Sequence, residues 1–441
     1  MSSLWFEKAL LKSGWQSNVL LTIENGRITS IETNTMPQGE RHAIGVPGMP
    51  NLHSHAFQRV IAGLTERRTS EQDSFWSWRE QMYKFQARIG PDELQTIAAL
   101  AYMEMMEAGF TRVGEFHYLH HGIDGRAFAD PAEMAGRIVA AAEVTGIGLT
   151  LLPVFYAHSG FGGLPPAPGQ ARFIHDLEGF QRLLDANRKQ AARLDDAVVG
   201  IAPHSLRAVR PDELTALVPM AQGAPIHIHI AEQVKEVEDC LAHTGQRPVE
   251  WLMDHMPVGA QWCLVHATHL TPEETARLAK SGAIAGLCPI TEANLGDGVF
   301  PARDYLKQGG RFGIGSDSNV LISAAEELRL LEYGQRLIYR ERNVLANPSS
   351  GEALYLNAVK GGGQALGADR WLRVGGPADI VSLDADHPAF AVQTFDKILD
   401  SFVFASARSP IDCVWRFGRK QVEGGRHIKR DAILADYRRL M

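Results

Sequence analysis

The chain has 441 residues, of which 45% are hydrophobic and 22% are charged, and its formal net charge is −7. This length and composition allow a large buried core. The acidic balance argues against a nucleic-acid partner, because it leaves no basic face for a phosphate backbone. No apolar run is long enough to span a bilayer, and residues 1–8 lack the basic start and apolar stretch of a secretory signal. We therefore expect a cytoplasmic protein without a membrane partner.

Both ends of the chain contain short strand-like runs separated by Gly turns, over residues from about 10 to 45 and from about 374 to 430. One run covers residues 19–28, with Asn25-Gly26 as its hairpin turn. Another covers residues 378–383. We predict that residues 1–47 and 370–441 together form one small β-sandwich-like domain.

Between these ends, eight β-rich runs each finish in polar or ionisable residues and alternate with stretches long enough for a helix. In residues 91–106, Pro followed by acidic residues marks such a helix start. The alternation predicts a (β/α)₈ barrel over residues 48–369, with its active site at the carboxyl ends of the strands. The eight runs are residues 46–55, 111–118, 149–156, 198–205, 225–232, 262–266, 283–289 and 311–319.

The first run leads into a pair of histidines, His53-Ser54-His55. Residues i and i+2 of a strand point to the same side, so both imidazoles can reach one metal ion. Further candidate ligands stand near the ends of the fifth run, at His229, and of the eighth, at Asp317. Neutral imidazole and carboxylate suit Zn²⁺ or Fe²⁺, and a site with few protein ligands keeps a place for water. The sequence predicts one divalent ion, Zn²⁺ in the first place, on these four residues.

Three side chains beside this ion are predicted to carry catalysis. A metal ion brings the pKa of its water toward about 7 and so supplies hydroxide at neutral pH. One oxygen of Asp317 can bind the ion while the other accepts the proton of the water, and His266 can orient the hydroxide or stabilise the developing charge. Glu232 is expected to give a proton to a departing nitrogen as a general acid. The alternative for Glu232 is a helix N-cap carboxylate.

Other histidines and the cysteines are assigned structural roles. His227 lies deeper in its strand than His229, and His266 is preferred over His269 because it ends an apolar run. The four cysteines are widely spaced and none belongs to a CxxC pair, which favours reduced, buried thiols over disulfides or a zinc knuckle.

The HxH pair, the run His229-Ile230-Ala231-Glu232, His266 and Asp317 resemble the amidohydrolase superfamily, and the likeness covers nearly the whole chain. Binuclear members of that superfamily carry a carboxylated lysine after the fourth strand, where this chain has Ala-Pro-His-Ser at residues 202–205. The resemblance is therefore to the mononuclear deaminase branch. Within it, residues 50–59, 114–118 and 202–207 are similar to the formimidoylglutamate deiminase family.

This resemblance implies hydrolysis of N-formimino-L-glutamate to N-formyl-L-glutamate and ammonia, in histidine degradation. The substrate is a dicarboxylate, and Arg presents the planar fork that matches a carboxylate. Arg207 is the first candidate partner and Arg79 the second. The resemblance also implies substrate contacts from Gln58, Tyr118 and His204, and a homodimeric assembly.

Two other functions stay open on the sequence. The same metal site could serve a deaminase of a purine, pterin or other aminoheterocycle, for which the aromatic side chains of Phe75, Trp76 and Trp78 would supply stacking. The chain could also be a barrel that has lost catalysis and binds a partner. The joint presence of the four ligands, Glu232 and His266 argues against that last hypothesis.

Overall fold

The computed structural model describes residues 1–67, 74–369, 371–391 and 394–440, and of Phe395 only the backbone. Residues 370 and 441, which bound one predicted domain segment, lie outside the described residues. In the ranges described, no helix combines the length and apolar character that crossing a membrane requires.

Strands from both ends of the chain form one sheet, as the sequence predicts. They are β1 (Ser2–Leu11), β2 (Gly14–Glu24), β3 (Arg27–Glu32), β4 (Glu40–Pro47), β14 (Ile380–Leu383), β15 (Ile411–Arg416), β16 (Arg419–Glu423) and β17 (Arg426–His427). Their order is β17-β16-β15-β14-β4-β1-β2-β3, so the late strands join the early ones where β14 pairs with β4. The β2–β3 hairpin turns at Asn25 and Gly26, with φ of 49° and 78°, as a type I′ turn requires.

The eight predicted barrel runs contain the strands of a second, parallel sheet, which confirms the barrel. Its strands are β5 (Met49–Ser54), β6 (Phe110–His117), β7 (Gly148–Phe155), β8 (Val198–Val199), β9 (Ala202–Pro203), β10 (Ile226–Ile230), β11 (Trp262–His266), β12 (Ile284–Leu287) and β13 (Arg311–Ile314). The fourth run is split into β8 and β9, which both pair with β7. Bridges from Ile201 to Ile226 and from Ser205 to His229 then close the ring on β10.

Helices cover the outside of the ring and the chain ends. Residues 91–106 were predicted as helix and lie in α2, which is opened by Pro91. The helices are α1 (Phe75–Gln86), α2 (Pro91–Glu107), α3 (Glu133–Thr145), α4 (Leu177–Ala191), α5 (Pro211–Met220), α6 (Val234–Thr244), α7 (Pro248–His255), α8 (Pro272–Ser281), α9 (Pro289–Leu295), α10 (Ala302–Lys307), α11 (Ala324–Tyr339), α12 (Ser350–Ala365), α13 (Ile398–Phe404) and α14 (Arg430–Leu440).

One prediction for the C-terminal segment is wrong. Residues 398–404 were expected within a stretch of short strands but form α13. Ile398, Leu399, Phe402 and Val403 are buried, at the i, i+1, i+4 and i+5 spacing of one helix face. That face packs against α12 and α11, so tertiary packing decided the conformation of this segment.

Buried ion pairs tie the barrel to the terminal sheet. Arg112 of β6 is fully buried, and its Nη2 lies 2.8 Å from Oδ2 of Asp196. Arg416 of β15 also pairs with Asp196, and its Nη1 lies 3.4 Å from Oδ1 of Asp379. Asp196 is thus a shared counterion for two buried guanidinium groups from different sheets.

Replacing Asp196 with Ala should lower the free energy of unfolding by about 3 kcal/mol, because two buried cations lose a shared carboxylate. Urea unfolding followed by circular dichroism measures this loss. The control is Asp195→Ala, since Asp195 is mostly exposed and lies 3.6 Å from the exposed Arg419. That change should cost less than about 0.5 kcal/mol. Equal effects of the two substitutions would contradict the role of the shared counterion.

Candidate metal centre and active site

The four predicted metal ligands converge at the carboxyl ends of β5, β10 and β13. His53 Nε2 lies 3.1 Å from His229 Nε2 and 3.5 Å from Asp317 Oδ1. His55 Nε2 lies 3.3 Å from the same carboxylate oxygen. The four ligand atoms all lie within 4.8 Å of one another, and all four residues are buried. These residues are 264 positions apart in the chain at most, so only the closed ring brings them together.

The orientation of the imidazoles suits a cation. His55 Nδ1 lies 2.9 Å from the carbonyl oxygen of Phe116, and His229 Nδ1 lies 3.2 Å from that of His204. A ring that donates through Nδ1 presents the lone pair of Nε2, here toward the shared centre. Burial lowers the pKa of His53 to about 3 and also lowers those of His55 and His229. Three neutral imidazoles and one carboxylate therefore form a donor set that fits one divalent ion.

Backbone hydrogen bonds hold the Asp317 turn against the HxH segment. The N–H of His55 donates to the carbonyl of Asp317 at 2.9 Å, and the N–H of Asp317 donates to the carbonyl of His53 at 3.0 Å. Asn319 Nδ2 lies within 3.2 Å of Ser54 Oγ and of the carbonyl oxygens of His55 and Asp317. The amide of this fully buried asparagine therefore fixes both segments that carry ligands.

The chain is also bent unusually at three strand ends around the centre. Ala231, His266 and Asp317 have φ of 50°, 66° and 46°, in the left-handed region that L-residues with a side chain seldom adopt. Such conformations persist where surrounding contacts enforce them, and they are concentrated at functional sites. All three lie at or just after the ends of β10, β11 and β13, which carry or lead to His229, His266 and Asp317.

His266 lies among carboxylates next to the ligand cluster. Its Nδ1 lies 3.3 Å from Glu292 Oε1, whereas Nε2 lies 3.9 Å from Glu232 Oε1 and 3.8 Å from Asp317 Oδ2. Burial opposes the charged imidazolium, but the surrounding carboxylates outweigh it and raise the pKa of His266. The ring can thus hold a positive charge beside Asp317.

Glu232 is not the carboxylate that caps the following helix. Gln233 is the N-cap residue of α6, without a side-chain capping hydrogen bond, and the backbone N–H groups of Ala231 and Glu232 donate to Glu236 at 3.2 and 3.1 Å. Burial, reinforced by the nearby Asp317 and Glu236, raises the pKa of Glu232 although the charge of His266 opposes this. A carboxyl group with a raised pKa beside the ligand cluster is suited to proton transfer.

All five predicted substrate contacts line one cavity with Glu232, His266 and Asp317. Gln58 Nε2 donates to the hydroxyl of Tyr118 at 2.9 Å, and His204 Nδ1 lies 3.1 Å from Ser205 Oγ. Those five residues are Gln58, Arg79, Tyr118, His204 and Arg207.

The two arginines present buried donors to this cavity. Nε and Nη1 of both Arg79 and Arg207 are shielded from solvent, and within the described residues none of these four atoms has a hydrogen-bond partner. Neither guanidinium has a carboxylate within 4.0 Å among the described side chains. An orphaned, buried guanidinium is costly. The pair is therefore suited to an anionic ligand that brings its own carboxylates.

Sequence reasoning missed several residues of the site. Glu292 contacts His266, and Asn319 bonds to the carbonyls of His55 and Asp317. No local pattern in the sequence indicates these contacts. Tyr156 follows β7 in the way that Tyr118 follows β6, so its place at a strand end was a usable signal. The cavity-lining residues that were not predicted are Met82, Tyr83, Tyr156, Phe173 and Leu295.

Three further histidines, His120, His121 and His227, each lie beside a backbone carbonyl and belong to none of the possible ligand groups of the described residues. His227 is buried, and its Nε2 lies 2.8 Å from the carbonyl oxygen of Ala365. His120 Nε2 lies 2.9 Å from the carbonyl oxygen of Val154, and His121 Nε2 lies 2.8 Å from that of Ile174. The four cysteines are buried and free, as expected.

Comparison with known proteins agrees with this geometry. A profile of the amidohydrolase family matches residues 44–420, and a profile described as the N-terminal domain of formimidoylglutamate deiminase HutF matches residues 1–43. The chain belongs to the amidohydrolase family. This amidohydrolase is 50% identical over 435 residues to formimidoylglutamate deiminase of Pseudomonas aeruginosa, across 97% of this chain and 96% of that protein.

Solved structures share the fold of this amidohydrolase. A crystal structure of an amidohydrolase from Brucella melitensis is 54% identical, with a TM-score of 0.96 over 100% of this chain and 98% of that one. A zinc-bound adenosine deaminase from Xanthomonas campestris is 21% identical, with a TM-score of 0.79 over 99% of this chain and 97% of that one. The second likeness concerns the fold alone.

Replacing Asn319 with Asp should weaken metal binding by about 10- to 100-fold, because a carboxylate cannot donate to the carbonyls that the amide now holds. Asp tolerates the positive φ of this position, 56°, so the backbone itself is not strained by the change. Competition with a chelator measures the affinity. Asn294→Asp is the control, since Asn294 is exposed and bonds to Glu66. Unchanged affinity in N319D would contradict the supporting role of the amide.

Proposed function

We propose that this amidohydrolase hydrolyses N-formimino-L-glutamate to N-formyl-L-glutamate and ammonia, a step of histidine degradation. The observation that carries the proposal is a pair of arginines whose buried Nε and Nη1 donors have no partner among the described residues, in the cavity that His55, His229 and Asp317 also line. A glutamate derivative supplies two carboxylates for them. The 50% identity to a formimidoylglutamate deiminase over nearly the whole chain supports the same substrate.

The proposed cofactor is one Zn²⁺ per chain, held by His53, His55, His229 and Asp317, with Fe²⁺ as the alternative. Both ions accept neutral imidazole and carboxylate ligands. The zinc in the Xanthomonas campestris deaminase supports the first choice. When bound, such an ion lowers the pKa of its water toward about 7 and thereby supplies hydroxide at neutral pH.

The protein's own groups have proposed roles around the formimino carbon. Asp317 accepts the proton of the attacking water on Oδ2, the oxygen that faces His266 at 3.8 Å. His266 then stabilises the negative charge that develops on the atoms bonded to the formimino carbon as the water adds to it. Glu232, with its raised pKa, delivers a proton to the departing nitrogen, since an amide anion is not a viable leaving group. As the carbon–nitrogen bond breaks, Asp317 gives the proton it took from water to the same nitrogen, and Glu232 regains a proton from the newly added hydroxyl group. Ammonia leaves, the formyl C=O forms, and both carboxyl groups return to their starting states.

Arg207 and Arg79 are the proposed carboxylate partners, and Gln58, Tyr118 and His204 complete the pocket. The Gln58 amide oxygen is buried and has no hydrogen-bond partner within the described residues. It can therefore accept from an N–H group of the amidine. Burial raises the pKa of Tyr118 well above its usual value, so its hydroxyl stays a neutral donor.

The runner-up is a deaminase of a purine, pterin or other aminoheterocycle. Phe75 and Trp78 line the cavity and favour it, because they offer aromatic faces for stacking. Two unpartnered guanidiniums fit a neutral heterocycle poorly, since its binding would leave buried cations without counterions. A substrate with two carboxylates supplies a counterion to each guanidinium group.

We further propose a homodimer in the cytoplasm. The four buried, free cysteines support a reducing compartment. Tyr333, Leu337 and Ile338 are exposed on α11, and apolar exposure of this kind supports self-association. Size-exclusion chromatography with light scattering measures the assembly.

Purified protein with its metal quantified should release ammonia rapidly from N-formimino-L-glutamate and not from guanine, cytosine or adenosine. The metal content should be one ion per chain, and removal by a chelator should abolish turnover until Zn²⁺ is restored. A coupled ammonia assay measures all four substrates side by side. Release from a heterocycle, with none from the formimino compound, would reject the proposed substrate.

Replacing Arg207 with Ala should raise KM for N-formimino-L-glutamate by about 10- to 100-fold, because hydrogen bonds to a charged group contribute about 1.5 to 3 kcal/mol. The metal content should not change. Arg210→Ala is the matched control, since Arg210 is exposed and pairs with Asp212 at 2.8 Å. An unchanged KM in R207A would remove Arg207 from the substrate site.

A further inference from the structure

Two arginines of like charge line the active-site cavity. Arg79 comes from α1 and Arg207 from the loop after β9, and both line the cavity. The four shielded nitrogens Nε and Nη1 of the two side chains have no hydrogen-bond partner within the described residues. The described residues offer the two guanidinium groups aromatic neighbours instead: Tyr83, whose ring centroid lies 5.7 Å from Cζ of Arg79, and Trp76.

The indole of Trp76 contacts both guanidinium groups. The Cζ atom of Arg79 lies 4.6 Å from the centroid of the ring, and that of Arg207 lies 5.7 Å from it. Trp76 is absent from the described residues that line the cavity, although Phe75 and Trp78 beside it are present. The indole therefore contacts the two guanidinium groups without itself lining the cavity.

An aromatic face can do here what a carboxylate cannot. A carboxylate would accept the N–H groups of an arginine and neutralise it. The face of an indole attracts the cation through its quadrupole and accepts none of the in-plane N–H groups. Both guanidiniums thus keep their positive charge and their donors for the cavity.

We propose that Trp76 is a positioning residue that holds Arg79 and Arg207 as a pair and thereby makes the site selective for ligands with two carboxylates. This inference rests on the proposed role of the two arginines in binding carboxylates. It assigns no substrate contact to Trp76 itself. The attraction of each guanidinium group to the ring offsets the repulsion between the two cations, and without the ring this repulsion separates them.

The alternative is that Trp76 only fills apolar space. It meets Phe75 edge to face, with centroids 5.2 Å apart. However, Trp76 is only half-buried, and among the described residues it belongs to neither the buried apolar clusters nor the side chains packed against them, whereas Trp78 does. Its position beside two cations, outside the apolar clusters, favours the positioning role.

The test is equilibrium binding of glutarate, a dicarboxylate without the formimino group, and of butyrate, a monocarboxylate, to the metal-loaded full chain. Trp76→Leu should weaken glutarate binding by about tenfold or more, and Trp76→Phe by no more than about threefold, because Phe keeps an aromatic face. Butyrate binding should change less than glutarate binding in W76L. The metal content of both variants should stay at one ion per chain.

Kinetics supply a second readout. In W76L the KM for the proposed substrate should rise while kcat changes less, since the catalytic groups are not disturbed. Trp15→Leu is the control, because Trp15 lies in β2 of the terminal sheet and bonds to Glu352. It should bind glutarate like the unaltered chain.

Several results would overturn the inference. These are wild-type affinity for glutarate in W76L, equal losses in W76F and W76L, and no glutarate binding by the unaltered chain. Failure of the proposed function has a different signature, because glutarate would still bind in a Trp76-dependent way while N-formimino-L-glutamate is not hydrolysed.

Discussion

The closure of the barrel between β13 and β5 is the constraint on which the site depends. Two backbone hydrogen bonds place Asp317 beside His53 and His55, although 262 residues separate Asp317 from the nearer of these two histidines in the chain. The amide of Asn319 spans the same junction. A small error in this closure would move one carboxylate relative to two imidazoles, and a metal ion tolerates little such movement.

Charge is distributed unevenly across the cavity that this closure creates. Glu232, Glu292 and Asp317 surround His266 at the metal-ligand end, whereas Arg79 and Arg207 lie where Trp76 supports them. On the proposed function, a ligand with an amidine and two carboxylates brings the amidine to the carboxylates around His266 and its own carboxylates to the two arginines. The same arrangement that binds such a molecule also fixes which end faces the catalytic groups, so binding and orientation have one electrostatic cause.

The sequence was most informative where function depends on residue type and local spacing. The alternation within a strand made His53 and His55 a pair, and the ends of strand-like runs pointed to His229, His266 and Asp317. Contacts between distant elements gave no such signal, so the support from Glu292 and Asn319 appeared only in the structure. Local patterns also failed where packing decides, as in α13 and in the fourth barrel run, which is interrupted between β8 and β9.

A crystal structure of the zinc-loaded protein with N-formyl-L-glutamate is the most direct test. We expect zinc on His53, His55, His229 and Asp317, the formyl group next to Glu232 and His266, and the carboxylates on Arg207 and Arg79. Zinc held by other residues, or a product whose carboxylates avoid both guanidiniums, would contradict this expectation.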